Sequence, residues 1–275
     1  MARVETLFVG RELLIGRTLN TNAHWVGRRM ALIGTMIARM TTADDDLEEI
    51  SSSLKEILAR RPDFLIVVGG LGPTPDDMTL AGIAKGLGIE MKLNREALRL
   101  IREHYSNLAR RDFKMTPSRR KMAVLPCGST PVLNEKGTAP GVRISDGPTV
   151  IFCLPGVPAE MKGIFRRSVE PEIRDRVGKL YRRAAKLKLE GIYESSLAPF
   201  IGRELEKHPG AYIKSHPKGV RDGVSRIELD VVVVTEEKEE AAEEVREIVG
   251  ELAGSVRKAG GAIRSARGVQ IETED

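Results

Sequence analysis

The sequence predicts an α/β protein: a three-layer α/β/α domain with a doubly wound, mostly parallel sheet, followed by a smaller α+β domain. The first observation is that short apolar runs alternate with segments of helical periodicity over residues 3–84, the order that builds parallel sheets. The second is the length of 275 residues, which suits one large and one small domain. The third is an alternation of Leu187 and Leu189 with charged residues, typical of a half-exposed strand.

Strands and helices alternate through the large domain, which is predicted over residues 1–168. Apolar residues after Asp44 recur at helical spacing, and Pro158 suits the first position of a helix, where a missing N–H costs nothing. The expected strands are residues 3–9, 35–40, 63–68, 142–145 and 149–154, and the expected helices begin near residues 20, 44, 78, 94, 115 and 158.

The small domain is predicted over residues 185–262, after a boundary within residues 171–183 where the pattern loosens and becomes basic. Its elements are expected in the order β-α-β-β-α. Residues 263–275 are mostly polar and are predicted to form a C-terminal tail. The expected strands lie near residues 186–190, 211–214 and 227–233, and the expected helices cover residues 194–205 and 241–252.

Composition excludes several classes of protein. The formal net charge of +5 is mild, and aromatic residues make up 4% of the chain. The sequence has no basic segment interleaved with aromatic residues, so it does not predict binding of nucleic acid. No G-x-x-G loop occurs in residues 185–262, which argues against a KH-type RNA-binding module. Cys127 and Cys153 lack a CxxC partner, and no apolar run approaches bilayer length. We therefore expect a cytoplasmic protein with a small-molecule ligand.

The turn at residues 69–77 is the main indication of function. Its sequence, GGLGPTPDD, follows a buried strand and precedes a helix. Gly69, Gly70 and Gly72 allow positive φ and let the backbone approach a ligand closely. N–H groups of the turn and of the first helical turn then point towards one anion, and Thr74 adds a hydroxyl. The turn predicts a phosphate site, although no Walker-type G-K-[ST] follows.

Two neighbouring acids, Asp76 and Asp77, end this turn. Hard divalent cations bind carboxylates together with substrate oxygens, so we interpret the pair as ligands for Mg²⁺ or another divalent cation. The alternative is structural: Asp76 caps the following helix and Asp77 complements its dipole.

Further turns are expected at the same edge of the sheet. Those at residues 10–22 and 154–162, the latter containing Gly156, also connect a predicted strand to a helix. In an open parallel sheet such turns meet at the carboxyl edge, where ligands bind at the reversal of strand order. The loop at residues 134–141 is expected to close over this edge. We therefore expect four segments to line one pocket.

The first of these turns contributes Glu12, Asn20 and Asn22. Glu12 is a candidate metal ligand, ribose contact or general base, and the alternative is a solvated loop acid. The two asparagines are candidate ligand contacts, and the alternative is helix capping. No G-x-S-x-G sequence supports a Ser-His-Asp hydrolase.

The remaining candidates come from the other two segments. Asn134, Gly137 and Thr138 lie in the loop at residues 134–141, where Gly137 and Thr138 either bind phosphate or form a hairpin turn. Glu160 begins a helix beside the sheet edge, where it is either a ligand contact or a surface charge.

Four motifs in order resemble the N-terminal part of the competence/damage-inducible protein CinA, which belongs to the wider molybdopterin-binding (MoaB/MogA-like) domain superfamily. They occupy residues 10–22, 69–77, 134–141 and 154–161. The resemblance covers about residues 1–168 and continues more weakly beyond. Arg11 departs from the family pattern, which has a small polar residue there, and either adds a phosphate contact or alters the first turn.

The resemblance implies a metal-dependent nucleotide pyrophosphatase that hydrolyses ADP-ribose or a similar dinucleotide to AMP and a sugar phosphate. Relatives in the molybdopterin line imply alternatives, namely binding of a pterin or nucleotide without turnover, or adenylyl transfer. A homo-oligomer, most simply a dimer, is the default for this class. The nicotinamide-mononucleotide deamidase domain of bacterial CinA is not part of the resemblance, so that activity is not expected. The phosphate and metal residues implied are Gly69, Gly70, Gly72, Thr74, Asp76 and Asp77.

Overall fold

The computed structural model describes residues 2–108 and 114–268. The chain divides into two compact units, which are described separately. The first comprises Met1–Ala31 and Thr35–Gly178, and the second comprises Leu32–Gly34 and Lys179–Asp275.

The first unit contains a six-stranded mixed sheet and a small two-stranded sheet. A π-helical segment, Phe165–Val169, joins its last two helices. The elements are β1 (Val4–Val9), α1 (Arg11–Leu14), α2 (Thr21–Leu32), β2 (Ile37–Ala43), α3 (Leu47–Ala59), β3 (Phe64–Val68), α4 (Thr79–Leu87), β4 (Met91–Leu93), α5 (Arg95–Leu108), α6 (Pro117–Lys121), β5 (Val124–Pro126), β6 (Thr130–Val132), β7 (Gly141–Asp146), β8 (Thr149–Leu154), α7 (Pro158–Ile164) and α8 (Glu170–Val177).

The large sheet has the strand order β2-β1-β3-β8-β7-β6. Strands β2, β1, β3 and β8 are parallel, whereas β7 and β6 are antiparallel additions at one edge. Every residue of β1, β3 and β8 is buried, as expected for strands covered on both faces by helices. The predicted α/β class with a mostly parallel sheet is confirmed.

Strand order reverses beside β1. This strand pairs with β2 on one side and with β3 on the other, so the connections that follow β1 and β2 leave in opposite directions. A crevice forms outside the carboxyl ends of strands at such a reversal. The turns after β1 and β3 are therefore adjacent.

Helix α3 begins later than the sequence predicted. Asp46 is its N-cap, and its carboxylate accepts hydrogen bonds from the N–H groups of Glu48 and Glu49. Asp44, the predicted start, instead binds the Arg11 guanidinium, with Nη2 2.8 Å from Oδ2. A run of three acids at residues 44–46 makes each a plausible cap, and the tertiary ion pair decides between them.

A buried ion pair lies at the start of β1. The Glu5 side chain is only 1% exposed, and its Oε2 lies 2.7 Å from Arg60 Nη2. Arg3 binds the other carboxylate oxygen at 3.1 Å. Burial favours the neutral acid, but hydrogen bonds and charge from the two arginines prevail and hold the pKa of Glu5 below its ordinary value.

The second unit has the order β-α-β-β-α-β and a four-stranded antiparallel sheet, β10-β11-β9-β12. Its elements are β9 (Tyr181–Glu190), α9 (Glu194–Lys207), β10 (Tyr212–Arg221), β11 (Val224–Thr235), α10 (Lys238–Lys258) and β12 (Ala262–Gly268). Inward residues of β9 and β11, such as Leu187 and Leu229, form its core with the buried face of α10.

Two predictions for this unit are wrong. Ala262–Gly268 forms an edge strand on β9 rather than the start of a polar tail, because Ile263 packs on the core while its neighbours face solvent. The strand expected at residues 211–214 extends further, to Arg221, as β10. Both segments are edge strands, whose mostly exposed residues give a weak apolar signal. Residues 269–275 of the predicted tail lie outside the described residues.

Candidate functional site

A cavity of about 280 Å³ lies at the strand-order reversal. It is enclosed by the carboxyl ends of β1 and β3, the start of α2 and the turn after β8. Its lining residues include eight of the predicted site residues: Glu12, Asn20, Asn22, Gly69, Gly70, Asp76, Asp77 and Gly156.

The glycine turn after β3 is shaped by close packing on β1 and α4. Gly69 and Gly70 have φ angles of +112° and +64°, which L-residues with side chains rarely adopt. A Cβ on Gly69 would collide with the Val9 carbonyl oxygen, and one on Gly70 would collide with the Thr79 hydroxyl. That hydroxyl donates to Gly69 O at 2.8 Å. Only glycine permits this path, which brings backbone to the cavity wall.

The two acids of the turn differ in their surroundings. Asp77 accepts hydrogen bonds from the Thr74 N–H (2.8 Å) and hydroxyl (2.5 Å). Asp76 is exposed, and hydrogen bonding to the Thr74 hydroxyl and to its own backbone N–H holds its pKa below the ordinary value. The capping alternative is wrong, because the N-cap position of α4 is Met78. Thr74 itself is not among the cavity-lining residues and acts through the acids.

Gly72 supports Asp77 rather than the cavity. It is absent from the described cavity lining, and a Cβ at this position would lie 2.6 Å from Asp77 Oδ2. A side chain at position 72 would therefore displace the Asp77 carboxylate from its position against Thr74. In the sequence, a glycine with this packing role looks the same as a glycine that binds phosphate, which is the role that we predicted for Gly72.

Asp45 is a site residue that the sequence did not indicate. It lines the cavity at the end of β2, and its Oδ2 accepts the Arg11 N–H at 2.8 Å. Burial raises its pKa, and the nearby charges of Glu12, Asp44 and Asp76 act in the same direction. Its position in an acidic run before a helix resembled a capping sequence, so only the pairing of β2 with β1 identifies it.

Arg11 does not contribute a cation to the cavity. Its guanidinium binds Asp44 through Nε and Nη2, and it is absent from the described lining residues. The sequence-based suggestion of a phosphate contact is therefore not supported. The side chain instead fixes the turn after β1 against the end of β2.

The two asparagines of the first turn have different contacts. Asn20 Oδ1 accepts the Ala23 N–H at 2.9 Å, which is the capping role that we considered. Asn22 Nδ2 donates to Gly156 O at 2.8 Å and so joins the turns after β1 and β8. Its buried Oδ1 has no partner within the described part of the chain. Asn22 thus lines the cavity and joins two of its turns, while its carbonyl oxygen is buried.

The loop at residues 134–141 does not line this cavity. Asn134, Gly137 and Thr138 border a separate cavity of about 240 Å³. Asn134 Nδ2 donates to Glu160 Oε2 at 2.7 Å, and a Cβ on Gly137 would collide with the Glu160 carboxylate. Asn134, Gly137 and Glu160 therefore form a packed contact between the loop and α7, and the expectation that four segments share one pocket does not hold.

The charged residues described in the lining of the main cavity are all acidic. Its lining includes four carboxylates, those of Glu12, Asp45, Asp76 and Asp77, and none of the described lining residues is a lysine or arginine. The Glu12 side chain forms no hydrogen bond or ion pair with residues 2–108 or 114–268. Across those same ranges, no three His, Cys, Asp or Glu side chains are grouped closely enough to hold a metal ion alone.

Comparison with known proteins gives a consistent result. The family model described as "probable molybdopterin binding domain" matches residues 5–175. A protein of Metallosphaera sedula is 41% identical over 259 residues, covering 94% of this chain and 96% of the relative. One of Pyrobaculum arsenaticum is 38% identical over 254 residues, covering 92% of this chain and 94% of the relative.

A solved structure matches the first unit. The crystal structure of the protein CinA from Thermoplasma acidophilum superimposes with a TM-score of 0.56 at 36% identity. It covers 62% of this chain and 98% of the CinA chain. No helix within the described ranges has the length and apolar character needed to cross a membrane. The chain therefore belongs to the family of probable molybdopterin binding domains and is CinA-like in fold.

Proposed function

We propose that the first unit is a metal-dependent nucleotide pyrophosphatase that hydrolyses ADP-ribose, or a similar dinucleotide, to AMP and a sugar phosphate. The observation that carries this proposal is the lining of the main cavity, which combines four carboxylates with no lysine or arginine among its described residues. The resemblance to CinA supplies the substrate class.

An acidic cavity accepts a phosphate only together with a cation. Two negative groups about 4 Å apart repel each other by about 4 kcal/mol at the effective dielectric of a protein surface. Asp76 and Asp77 would hold Mg²⁺ or a similar ion, with Glu12 and Asp45 adjoining. Since no three described protein ligands are grouped, substrate oxygens and water complete the coordination, as is usual for Mg²⁺.

Two residues that line the main cavity carry backbone N–H groups suited to binding one phosphoryl group. The N–H groups of Gly70 and Asn22 have no intramolecular acceptor in the part of the chain that the structure describes. Gly70 belongs to the turn after β3, and Asn22 lies in the first turn of α2. N–H groups at the start of a helix and in a glycine turn favour an anion.

In the proposed reaction, a water oxygen forms a bond to one phosphorus while the bridging P–O bond breaks, leaving two monophosphates. The divalent ion supplies charge neutralisation of the diphosphate. Glu12 takes the proton of the attacking water, because it is the lining carboxylate without a described partner. Asp77, which is fixed by Thr74, would hold the divalent cation together with Asp76.

The test is an assay of ADP-ribose with Mg²⁺ or Mn²⁺, with AMP and ribose 5-phosphate resolved by chromatography. Asp77→Asn and Glu12→Gln are each expected to lose about a hundredfold in kcat. Asp146→Asn, in the β7–β8 turn, is the matched control and keeps the wild-type rate. Equal rates in wild type and Asp77→Asn, or absence of hydrolysis with every cation, would refute the proposal.

The family match favours a second candidate function. A domain that binds a pterin or nucleotide without turnover, or that transfers an adenylyl group to a pterin, would use the phosphate site that we propose at residues 69–77. Stoichiometric binding of dihydroneopterin triphosphate without product would support the binding function. Release of pyrophosphate from ATP only when a pterin is present would support adenylyl transfer.

A further inference from the structure

The sheet of the second unit has two unlike faces. Leu187 and Leu189 of β9 and Leu229 of β11 are buried in a core that also includes residues of α9 and α10. Side chains of a strand alternate between the two faces of a sheet, so the residues between these leucines point away from both helices. We call the surface that such residues form on β9, β10, β11 and β12 the outer sheet face.

Basic residues reach the outer sheet face from all four strands. They are Lys186 and Lys188 on β9, Lys214 and Lys218 on β10, Arg226 on β11 and Arg264 on β12. A cavity of about 470 Å³ lies among Lys188, Lys218, Arg221 and Arg226. The Lys188 and Lys218 side chains are more than half exposed, so their ammonium groups are available to a partner.

The acids of this face do not balance its positive charge. Glu228 is shared by two cations, with Lys188 Nζ at 3.7 Å and Lys218 Nζ at 3.1 Å. A hydrogen bond from Lys218 outweighs burial and, together with the charges of Lys186 and Lys188, holds the pKa of Glu228 below its ordinary value. Glu190 is likewise shared by two arginines of neighbouring strands. One carboxylate offsets only one of two charges, so a positive excess remains.

The edge strand β10 places aromatic rings between its cations. Ile213 of this strand is buried in the core, so its outward row consists of Tyr212, Lys214, His216 and Lys218. Tyr212 is 53% exposed. Successive outward side chains of a strand lie about 6.6 Å apart. A row of this kind offers rings on which unpaired bases stack and cations that bind the phosphates between them.

We propose that the outer sheet face binds single-stranded nucleic acid, with its phosphates along the lysine and arginine side chains and one base on Tyr212. An open four-stranded sheet is a general platform for single-stranded RNA, where aromatic residues stack the bases. The central strands here are β11 and β9, and their outward positions hold no aromatic residue within these two described strands. Phosphate contacts therefore dominate, and binding is independent of base sequence.

This surface goes beyond the proposed function and does not depend on it. It could not be recognised in the sequence as a basic segment, because its cations are separated by core residues and come from four strands. Single strands are favoured over duplexes, since the bases of a duplex are already stacked and cannot stack on Tyr212.

Fluorescence anisotropy of a labelled oligouridine about twelve nucleotides long, titrated with the full chain, tests the inference. Its affinity is expected to fall about fiftyfold between about 50 and 200 mM NaCl, which corresponds to about four neutralised phosphates on a single strand. A mixed-sequence RNA of the same length should bind equally well. A duplex of the same length should bind about fivefold more weakly.

The variants separate charge from stacking. The double variant Lys188→Gln, Lys218→Gln removes two phosphate contacts, so affinity at the lower salt should fall about tenfold and the loss with salt should shrink to about sevenfold. Tyr212→Ala should lower affinity about tenfold, whereas Tyr212→Phe keeps the ring and should bind as wild type. The double variant Lys238→Gln, Lys258→Gln makes the same change of charge on exposed positions of α10 and is the matched control.

A thermal melt of each variant confirms that it is folded. Weaker binding by the outer-face double variant than by the α10 control supports the inference. Equal losses in both double variants would show attraction by net charge alone and would overturn it. A duplex bound as tightly as the single strand, or an unchanged affinity in Tyr212→Ala, would also overturn it. So would cosedimentation with phosphatidylglycerol vesicles by a chain that does not bind oligouridine.

Discussion

Asp77 is held by Thr74, whose backbone N–H and hydroxyl lie 2.8 and 2.5 Å from the same carboxylate oxygen. The acid is thus fixed by its own turn, while the residue still lines the main cavity. An acid with one committed oxygen can present the other to a cation at low entropic cost.

Loss of the Thr74 hydroxyl should weaken function more than folding. Thr74→Val keeps the shape and the N–H but removes one of the two bonds, so Mg²⁺-dependent kcat/KM for ADP-ribose should fall about tenfold. Thr74→Ser should restore it. Steady-state kinetics with a thermal melt on each variant provides the measurement, and a wild-type rate in Thr74→Val would show that the hydroxyl has no role.

Asn22 should contribute to ligand binding because it joins the turns after β1 and β8. Asn22→Ala loses the bond to Gly156 O and is expected to lower the free energy of unfolding by about 1 kcal/mol. Nucleotide affinity should fall about tenfold as well, since Asn22 and Gly156 both line the cavity and would no longer be held together. Asn94→Ala, which removes the cap of α5, is the control, because it should cost similar stability and no affinity.

Gly137 should be required for packing. Gly137→Ala places a methyl group against the Glu160 carboxylate and is expected to lower the free energy of unfolding by about 2 kcal/mol. Adding Glu160→Ala should relieve much of this loss, giving a coupling of about 1 kcal/mol in a double-mutant cycle. Urea denaturation of the four proteins measures it. Additive losses would indicate that the two residues do not interact.

The Glu5–Arg60 pair should make stability pH-dependent. Glu5→Gln leaves the partly exposed Arg60 without its buried carboxylate partner, and at pH 7 the free energy of unfolding should fall by about 2 kcal/mol. Because the folded pKa of Glu5 lies below its ordinary value, its contribution is complete above the unfolded-state pKa of about 4.3. The contribution is lost as the pH falls through the folded pKa.

Urea denaturation of wild type and Glu5→Gln between pH 3 and 7 measures this effect. The two stabilities should converge as the pH falls, whereas Glu243→Gln, on an exposed position of α10, should remain close to wild type throughout. A constant difference between wild type and Glu5→Gln would show that ionisation of Glu5 does not stabilise the fold.

The buried strands and the main turn could be predicted from sequence because their signals are local. A continuous apolar run such as Phe64–Val68 has few alternatives to a buried strand, and two glycines with positive φ leave a recognisable turn. The meeting of the turns after β1 and β3 followed from the general rule for parallel sheets. Eight predicted residues therefore line one cavity.

The parts of the fold and of the site that the sequence did not predict depend on tertiary contacts, which leave no local pattern in the sequence. Asp45 joins the site only because β2 pairs with β1, whereas its acidic neighbours give it the appearance of a helix cap. Glycines at 72 and 137 are required by the carboxylates of Asp77 and Glu160, and sequence alone does not distinguish this from ligand binding. Short strands such as Met91–Leu93 have too few residues for a periodic signal.

The central position of β3, between β1 and β8, has a consequence for biosynthesis. The cavity wall combines residues that are far apart in the chain, from Glu12 and Asn22 through Gly70 and Asp77 to Gly156 and Pro158, so most of the first unit must leave the ribosome before the wall is complete. Parallel pairing across such long stretches forms slowly, because chain entropy is lost before contacts are gained. Nascent chains should therefore acquire ligand affinity in a single late step, after residue 158 has emerged.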